Sequence, residues 1–407
     1  MKEFLPVSTG NDLLTYSTAR GIHEATDVTT VSLGIQDLRA VRHSAIVRTV
    51  NDDAFRGEAN VVEHLMDFGR KQNGPTKPIL FAGAESYADI FYRHPELEEV
   101  YHVPYNIGPN GAALQSKENF YKVCEEQGIR YPQTFIIDRE TDLQEYADVR
   151  FPMVLKPEHT MDFRDLEFEG KWKVYKLETF AELEETVARI YQSSFDGRLM
   201  LQKFVAGPIF NEYSFSGYVD RDGNLRDVAI GRALTDDPHP DMRGNHLAIV
   251  LAEEAVFEPL IAIVQKYIRA VNYHGLINFD FKRDANDGEF YVFEVNQRQG
   301  ASSYYAMMAG GNFYRGLVED YVLEKPFSGM RVGREPFVWV DCSPKVVREH
   351  LSGPAAALFD DMASRGRVDH TLTYPADHGF QRRMNNARYL DVKDRQVEEN
   401  FAQYPVD

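Results

Sequence analysis

Residues 275–300 constrain the fold of this chain more than any other stretch, because they form a pattern of two strands joined by a turn: GLINFDFKRDANDGEFYVFEVNQRQG. Residues 276–282 and 290–296 are apolar runs that polar residues interrupt. The DANDG segment between them is rich in the Asp, Asn and Gly residues that favour turns. The pattern predicts an antiparallel β-hairpin.

The polar residues that interrupt the two runs predict a metal site. They are Asp280 on the first strand and Glu294 and Asn296 on the second. Residues two apart on a strand face the same side, and the hairpin can bring Asp280 across to the other two. Three oxygen ligands suit Mg²⁺, which takes one or two carboxylates and leaves its other positions to water and phosphate. Arg298 follows, placed to meet negative charge beside the metal. The alternative is an amphipathic hairpin with one solvated face.

The composition is that of a globular protein with an acidic surface. The chain has 407 residues, 43% of them hydrophobic, and a formal net charge of −18 from 45 basic and 63 acidic residues. This balance argues against nucleic acid or an anionic membrane as a partner, since both favour a basic surface. Cys124 and Cys342 provide neither a disulfide framework nor a metal knuckle. The sequence shows no signal-peptide core and no bilayer-spanning segment, so we expect a cytoplasmic protein.

The first part of the chain has the pattern of a doubly wound parallel sheet. Strand signals at residues 4–7, 28–33 and 78–82 alternate with helix signals at residues 12–25 and 61–72. Small-residue turns follow the first and last of these strands, where helix amino termini expose unpaired N–H groups. Such turns either contact substrate or are merely structural. Neither GxGxxG nor the P-loop motif occurs, which argues against a dinucleotide or P-loop site.

Two further elements carry lysines that a nucleotide site could use. Ser116 caps a predicted helix at residues 117–127, and residues 151–157 (FPMVLKP) predict a strand that carries Lys156. A buried lysine on an apolar strand needs a partner, and a phosphate would serve; the alternative is an exposed lysine on an edge strand. The polar residues 159–175 form either a mobile flap over phosphates or a plain hairpin loop.

The predicted strand at residues 198–205 ends in the sequence QKFVAGP, and a second strand that carries Glu212 follows it. The Gly-Pro break bends the chain at this point. A chain that bends in this way exposes backbone N–H and C=O groups, which can pair with the edge of an adenine ring.

Together these features resemble the ATP-grasp superfamily and, within it, the D-aspartate ligase group of carboxylate–amine ligases. The matching features, in order, are the strand–turn–helix start, the helix SKENFYKVCEEQGIRYPQT, the strand FPMVLKP, the bend LQKFVAG with Glu212 after it, and the hairpin FDFKRD…FYVFEVNQR. The similarity spans roughly residues 4–322. It implies an α/β fold with a Rossmann-like pre-ATP-grasp domain at residues 1–110, a two-lobed ATP-grasp domain at residues 111–325 and a small appended subdomain at residues 326–407.

The resemblance implies where ATP would bind. Lys117 and Lys156 would contact the phosphates, and Glu212 would hold the ribose. The adenine would meet the hinge, chiefly the main chain of Lys203 and Val205. The hinge residues are Gln202, Lys203, Phe204 and Val205, and many relatives have an acid where this chain has Gln202.

The resemblance also implies the catalytic residues. Asp280, Glu294 and Asn296 would carry two Mg²⁺ ions, or Mn²⁺ in their place, and Arg298 would face the transferring phosphoryl group. The flap departs from the glycine-rich pattern of the superfamily, since residues 157–176 contain only Gly170. The lysines that could replace it by charge are Lys171, Lys173 and Lys176.

The residues that select the substrate are predicted from a Pro-punctuated loop between strands at residues 233–250. The candidates are Arg232, His239, Arg243 and Asn245. An arginine pair here could bind the carboxylate of an amino acid by forked hydrogen bonds. The alternative is a solvated loop without contact to substrate.

These features predict an enzyme that joins a small-molecule carboxylate to an amine through an acyl phosphate and releases ADP and phosphate. The resemblance implies D-aspartate and an amine of a cell-wall precursor as substrates. The alternatives are a nucleotide-binding sensor without ligase activity and an ATP-grasp phosphotransferase. The composition changes after residue 324, and residues 326–407 either close over the site or join a homodimer.

Overall fold

The computed structural model describes residues 3–72, 74–159, 163, 166–242 and 244–404. Within these residues the strands form three sheets, and helices pack on each of them. The α/β fold class predicted from the sequence is confirmed.

The N-terminal sheet is parallel. Its strands are β1 (Pro6–Thr9), β2 (Thr30–Gly34), β3 (Val47–Asn51) and β4 (Ile79–Ala82), and its helices are α1 (Leu13–Thr26), α2 (Glu58–Arg70) and α3 (Glu85–Arg93). The strand order is β3-β2-β1-β4. The carboxylate of Asp12 caps α1 by accepting the N–H of Thr15 at 3.1 Å. Because β1 and β4 run parallel, the amino termini of α1 and α3 lie at the same edge of the sheet.

The second sheet is antiparallel, with strands β5 (Thr134–Ile137), β6 (Met153–Pro157), β7 (Tyr175–Leu177) and β8 (Leu199–Lys203) in the order β5-β8-β6-β7. The helices before and within it are α4 (Gly108–Leu114), α5 (Lys117–Glu126) and α6 (Phe180–Gln192). Leu183 and Ile190 of α6 pack with Leu155 and Leu201 of the sheet in one core. α4 begins at Gly108, since a proline is compatible with the first turn of a helix.

The large sheet carries the predicted hairpin. Its first strands are β9 (Glu212–Val219), β10 (Leu225–Asp236), β11 (His246–Leu251), β12 (Gly275–Arg283) and β13 (Phe290–Asn296), and its helices are α7 (Phe257–Val271), α8 (Tyr304–Met308) and α9 (Phe313–Tyr321). The antiparallel pairing of β12 with β13 confirms the hairpin. β10 and β11 extend into the segment that was predicted as a loop at residues 233–250, so the connection between them is shorter than expected.

The carboxyl-terminal segment pairs with the large sheet and also contacts helix α1, which packs on the N-terminal sheet. Its elements are β14 (Arg331–Val332), β15 (Val338–Val340), α10 (Pro344–Glu349), α11 (Gly353–Ser364), β16 (Val368–His370) and α12 (Phe380–Gln403). β15 and β16 extend the large sheet, whose order is β13-β12-β9-β10-β11-β15-β16, and β14 pairs with β10. The buried carboxylate of Asp377 accepts hydrogen bonds from Arg382 at 3.0 Å and from the hydroxyl of Tyr16 at 2.7 Å. The domain boundaries and the homodimer stay predictions.

The hairpin and β9 have one apolar and one polar face. Phe279 and Phe281 of β12 stand opposite Phe215 and Tyr213 of β9, and all four side chains are buried in one core. The intervening residues of β12 project to the other side and are all polar: Asn278, Asp280 and Lys282. The fold therefore places the predicted ligands on a polar face backed by a rigid aromatic core. In the part of the chain described, no helix is long and apolar enough to cross a membrane.

Candidate active site

The two strands of the hairpin bring the predicted metal ligands together. Asp280 stands directly opposite Glu294, and Asn278 stands opposite Asn296. Side chains of directly opposed residues lie on the same face of a sheet, so these four polar groups share one surface. The pairing shifts by one residue just after Asp280, as at a β-bulge.

Asn278 is a member of this surface that the sequence did not single out. Its Nδ2 donates to the hydroxyl of Ser214 at 3.1 Å and to the carbonyl of Phe215 at 3.0 Å, and its Oδ1 accepts from Asn296 Nδ2 at 3.2 Å. This arrangement fixes the amide of Asn296 so that its own oxygen is available on the polar face. The one sequence signal for Asn278 was its position, two residues before Asp280.

The electrostatics of the hairpin fit a cation site. Burial, together with the charges of Glu294 and Glu212, raises the pKa of Asp280 to about 8. Burial also acts to raise the pKa of Glu294, but Lys117, Lys156 and Lys173 more than offset it, and that pKa is lowered. Two carboxylates and an amide match the donors that Mg²⁺ prefers. Among the described residues no group of three or more His, Cys, Asp or Glu side chains could hold a metal, so this mixed set is the candidate.

The two predicted phosphate lysines lie beside this surface. Lys117 Nζ, on the first residue of α5, is 3.7 Å from Glu294 Oε2. Burial, Lys117 and Lys173 lower the pKa of Lys156 to about 7, against the opposing pull of Glu294. Lys156 makes no hydrogen bond or ion pair with any residue in the described ranges. Lys156 is half-buried, and a lysine held partly away from water without a partner is costly unless an anion binds it.

Among the hinge residues 202–205, one backbone N–H group has no acceptor in the described part of the chain and could bind a ligand. The N–H of Lys203 donates to the carbonyl of Gln133 at 2.8 Å, and the side chain of Lys203 bonds Tyr291 at 2.8 Å and Asp284 at 3.2 Å. The N–H of buried Val205, in contrast, finds no acceptor among the residues that the structure describes. An adenine nitrogen would satisfy it.

Gln202 and Phe204 complete the hinge. The amide of Gln202 is buried and donates to the hydroxyls of Tyr121 and Thr134, each at 2.8 Å. These hydrogen bonds fix β8 against α5 and β5. The ring of Phe204 lies 4.8 Å from the ammonium of Lys176. Lys176 also forms an ion pair of 2.6 Å with Glu178. Its contact with Phe204 joins this flap lysine to the hinge.

Glu212, the predicted ribose residue, lies on the same polar face. It stands opposite Lys282, and Lys282 Nζ is 3.1 Å from its carboxylate. Lys282 is largely buried, so this ion pair holds the carboxylate in a fixed position. Lys282 was not predicted, because on a strand it has the same pattern as an ordinary solvated lysine.

Arg298 connects the hairpin to the N-terminal sheet. Its Nη2 donates to the carboxylate of Glu85 at 2.9 Å, and its Nη1 donates to the carbonyl of Gln299 at 3.2 Å. Gln299 in turn donates to Thr18 of α1 at 3.0 Å. The guanidinium is therefore held between the hairpin and the N-terminal sheet, beside the amino terminus of α3.

The predicted substrate residues that the structure describes, Arg232, His239 and Asn245, make their contacts with residues outside this surface. Arg232 stands opposite Tyr213, on the apolar side of the sheet, and its guanidinium bonds the carbonyl of Phe210 and the carboxylate of Glu253. His239 packs edge-on against Tyr404. Asn245 is exposed and its amide contacts the sulfur of Met242. Arg243 lies outside the described residues. The recorded contacts of Arg232, His239 and Asn245 do not join them to the polar face of the hairpin.

Comparison with known proteins gives consistent results. No protein-family model matches the chain. D-aspartate ligase from Enterococcus faecium is 29% identical over 394 residues, which cover 94% of this chain and 93% of that protein. The C-terminal section of the carbamoyl phosphate synthase large chain from Methanopyrus kandleri is 25% identical over 46% of this chain and 33% of its own length.

Solved structures agree at the level of the fold. N5-carboxyaminoimidazole synthetase from Staphylococcus aureus, complexed with ADP, has a TM-score of 0.60 at 15% identity and covers 83% of this chain and 82% of its own. The L-amino acid ligase from Bacillus licheniformis has a TM-score of 0.56 at 15% identity, over 79% of this chain and 74% of its own.

The fold of this chain is that of these two solved enzymes. The similarity to D-aspartate ligase over nearly the whole length of both proteins supports an ATP-dependent carboxylate–amine ligase.

Proposed function

We propose that the chain phosphorylates a small-molecule carboxylate with ATP on the polar face of the hairpin and then joins it to an amine. The observation that carries the proposal is the grouping of Asp280 with the opposite Glu294, with Lys117 at 3.7 Å from Glu294, and with Lys156, which has no ion-pair partner among the described residues. A cation site next to phosphate-binding lysines is the arrangement that phosphoryl transfer requires.

ATP would lie between the second sheet and the hairpin. Lys117 and Lys156 would bind its phosphates, which would give the Lys156 ammonium the partner it lacks within the described residues. The N–H of Val205 and the carbonyl of Lys203 would pair with the adenine, and Glu212 would accept the ribose hydroxyls. The ADP complex of the synthetase with the same fold supports nucleotide binding at such a site.

The residues present fit Mg²⁺ or Mn²⁺. Asp280 and Glu294 are opposed carboxylates, and burial with the nearby charges of Glu294 and Glu212 raises the pKa of Asp280, an effect that a bound cation would oppose. Asp280, Glu294 and Asn296 would hold the ions, with Asn278 fixing Asn296. When bound, the ions would neutralise charge on the phosphates.

The reaction balances without a side-chain nucleophile. A carboxylate oxygen of the substrate attacks the γ-phosphorus, the bond to the β-phosphate oxygen breaks, and ADP leaves. The amine then attacks the acyl carbon and loses a proton, and phosphate leaves with the oxygen that came from the carboxylate. Arg298 would stabilise charge on the transferring group. The similarity to D-aspartate ligase makes aspartate the first acid to test.

The test is acid-dependent ADP release. The purified protein is given ATP, Mg²⁺, a panel of amino acids and hydroxylamine, which traps an acyl phosphate as a hydroxamate. We expect one hydroxamate for each ADP, and with ¹⁸O in the substrate carboxylate one label in inorganic phosphate. Arg298→Ala should slow the trapped and the complete reaction equally, because the arginine acts before the amine. AMP release, or ADP release with a phosphorylated hydroxyl as product, would contradict the ligase mechanism.

A further inference from the structure

The carboxyl-terminal end of α12 contacts the flap within its described residues 166–175. The ring of Tyr404, the residue directly after α12, meets the indole of Trp172 edge-on, with the ring centroids 6.1 Å apart. The same tyrosine ring meets the imidazole of His239 edge-on at 5.3 Å. Aromatic rings in edge-to-face contact at these distances attract one another. Tyr404 therefore connects the flap to the loop between β10 and β11.

This loop is itself fixed to α12. Asn400 is buried near the end of the helix, and its amide donates to Oδ1 of Asp237 at 2.9 Å. The same carboxylate oxygen accepts the backbone N–H of His239 at 3.0 Å. The N–H of Tyr404 donates to the carbonyl of Asn400 at 2.8 Å. These hydrogen bonds give Tyr404 a defined position from which to support the flap.

The flap also holds Trp172 through its backbone. The N–H of Trp172 donates to the hydroxyl of Tyr175 at 2.9 Å, and Tyr175 is a buried residue of β7. Trp172 is thus bound by β7 through its main chain and by Tyr404 through its ring. Lys173 follows Trp172 directly, so the position of its ammonium depends on both contacts.

The charge of Lys173 acts on the candidate active site. Burial and Lys117 lower the pKa of Lys156, and Lys173 adds to that effect. Burial raises the pKa of Glu294, but the three lysines more than offset it, and that pKa is lowered. A charge that influences both groups lies within electrostatic reach of the predicted phosphate and metal positions.

We propose that Tyr404 is a positioning residue of the nucleotide site, and that its contact with Trp172 holds Lys173 beside the phosphates of ATP. The inference rests on the proposed function, in which ATP lies between the second sheet and the hairpin. Lys173 supplies a further ammonium donor to the phosphate oxygens. The carboxyl-terminal segment thereby takes part in nucleotide binding without touching the nucleotide.

The experiment measures the affinity for ATP and for adenosine by calorimetry, in the wild type, in Tyr404→Ala and in Lys173→Gln. Tyr404→Ala should weaken ATP binding by about two- to tenfold, the effect of one aromatic pair, and leave adenosine binding unchanged. Lys173→Gln should weaken ATP binding by about ten- to a hundredfold. The double variant should bind ATP no more weakly than Lys173→Gln, because Tyr404 acts through Lys173.

Two variants serve as controls. Phe401→Ala removes an aromatic ring one turn before Tyr404, where it stacks on His350 at 3.7 Å and packs against the core that contains Val346 and Phe359. It should keep the ATP affinity of the wild type even where it lowers the unfolding temperature. Tyr404→Phe keeps the ring and should bind ATP as the wild type does.

Tryptophan fluorescence reports the contact directly. The chain has two tryptophans, and the second, Trp339, is buried and donates to Thr371 at 2.9 Å. Tyr404→Ala should shift the emission of the free protein to longer wavelength, because Trp172 loses its ring contact. Phe401→Ala should leave the emission unchanged.

The outcomes separate this inference from the proposed function. If the wild type binds no ATP, the proposed function fails and the inference fails with it. If the wild type binds ATP, the inference is overturned by an unchanged ATP affinity in Tyr404→Ala, by an equal loss for adenosine, or by an effect that adds to that of Lys173→Gln. Thermal unfolding shows whether Tyr404→Ala is folded. If it is not, Tyr404→Leu decides by the same comparison.

Discussion

Lys117 Nζ lies 3.7 Å from Glu294 Oε2, so the first residue of α5 is electrostatically tied to the outer strand of the hairpin. Their side chains are 24% and 39% exposed, which leaves the pair open to a phosphate. If Lys117 moves from the Glu294 carboxylate to a bound phosphate, nucleotide binding changes the charge balance of the candidate metal site.

We expect Glu294→Gln to abolish turnover while the protein stays folded. The change removes one of the two opposed carboxylates of the candidate metal site and keeps the size and shape of the side chain. Loss of one electrostatic contact to a transition state commonly slows a reaction by about 10²–10³-fold. ADP release and thermal unfolding measure the two effects. Glu289→Gln is the control, since Glu289 is a half-exposed carboxylate at the turn of the same hairpin; wild-type turnover in Glu294→Gln would remove this residue from the site.

Lys156→Ala should weaken ATP binding more than adenosine binding. Lys156 is an ammonium without a hydrogen-bond partner in the described ranges, and a charge-assisted bond to phosphate is worth about 1.5–3 kcal/mol. The expected loss is about ten- to a hundredfold in the Kd for ATP, measured by calorimetry. Lys122→Ala, on an exposed lysine of α5, should leave both affinities unchanged. Equal losses for ATP and adenosine would mean that Lys156 supports the fold instead.

ATP binding should take up a proton at pH 8 and little at pH 6. In the free protein the pKa of Lys156 is lowered to about 7, so at pH 8 most of the side chain is neutral, and bound phosphate favours the charged form. At pH 6 the side chain is already charged. Calorimetry in buffers of different ionisation enthalpy, without Mg²⁺, measures the uptake. The uptake should disappear in Lys156→Gln, and its persistence there would assign the proton to another group.

The sequence predicted the features that a local pattern of residues determines. It did not predict the features that depend on how distant strands pair. The alternation along the hairpin was enough to bring Asp280 and Glu294 together, because residues of one short hairpin share a face. The position of Arg232 depends on its register with β9, which no local pattern records, and it lies on the apolar side. Asn278 looked like any polar strand residue.

Asn278→Ala should raise the Mg²⁺ concentration needed for turnover by about ten- to a hundredfold, the usual effect of losing a group that orients a metal ligand. Asn278 does not have to touch the metal for this result, because its Oδ1 accepts a hydrogen bond from Nδ2 of Asn296 at 3.2 Å and so orients that predicted ligand. Activity titrated with Mg²⁺ at saturating ATP checks it, and ATP affinity without metal should be unchanged. Asn286→Ala, in the turn of the hairpin, is the control. An unaltered Mg²⁺ dependence in Asn278→Ala would show that Asn296 needs no such support.

Asp377→Ala should destabilise the whole protein and not only its carboxyl-terminal segment. Both side chains of the Asp377–Arg382 pair are 1% exposed, and Asp377 also accepts hydrogen bonds from Tyr16 and from the backbone N–H of Ala45. Removing one partner leaves a buried guanidinium without its counter-charge, which costs about 3–5 kcal/mol in the free energy of unfolding. Denaturant unfolding followed by circular dichroism and by tyrosine fluorescence measures it, and the two signals should shift together because α1 and α12 share this contact. Asp360→Ala breaks the exposed pair with Arg348 and should change little. If Asp377→Ala instead unfolds in two separate transitions, the carboxyl-terminal segment is an independent unit.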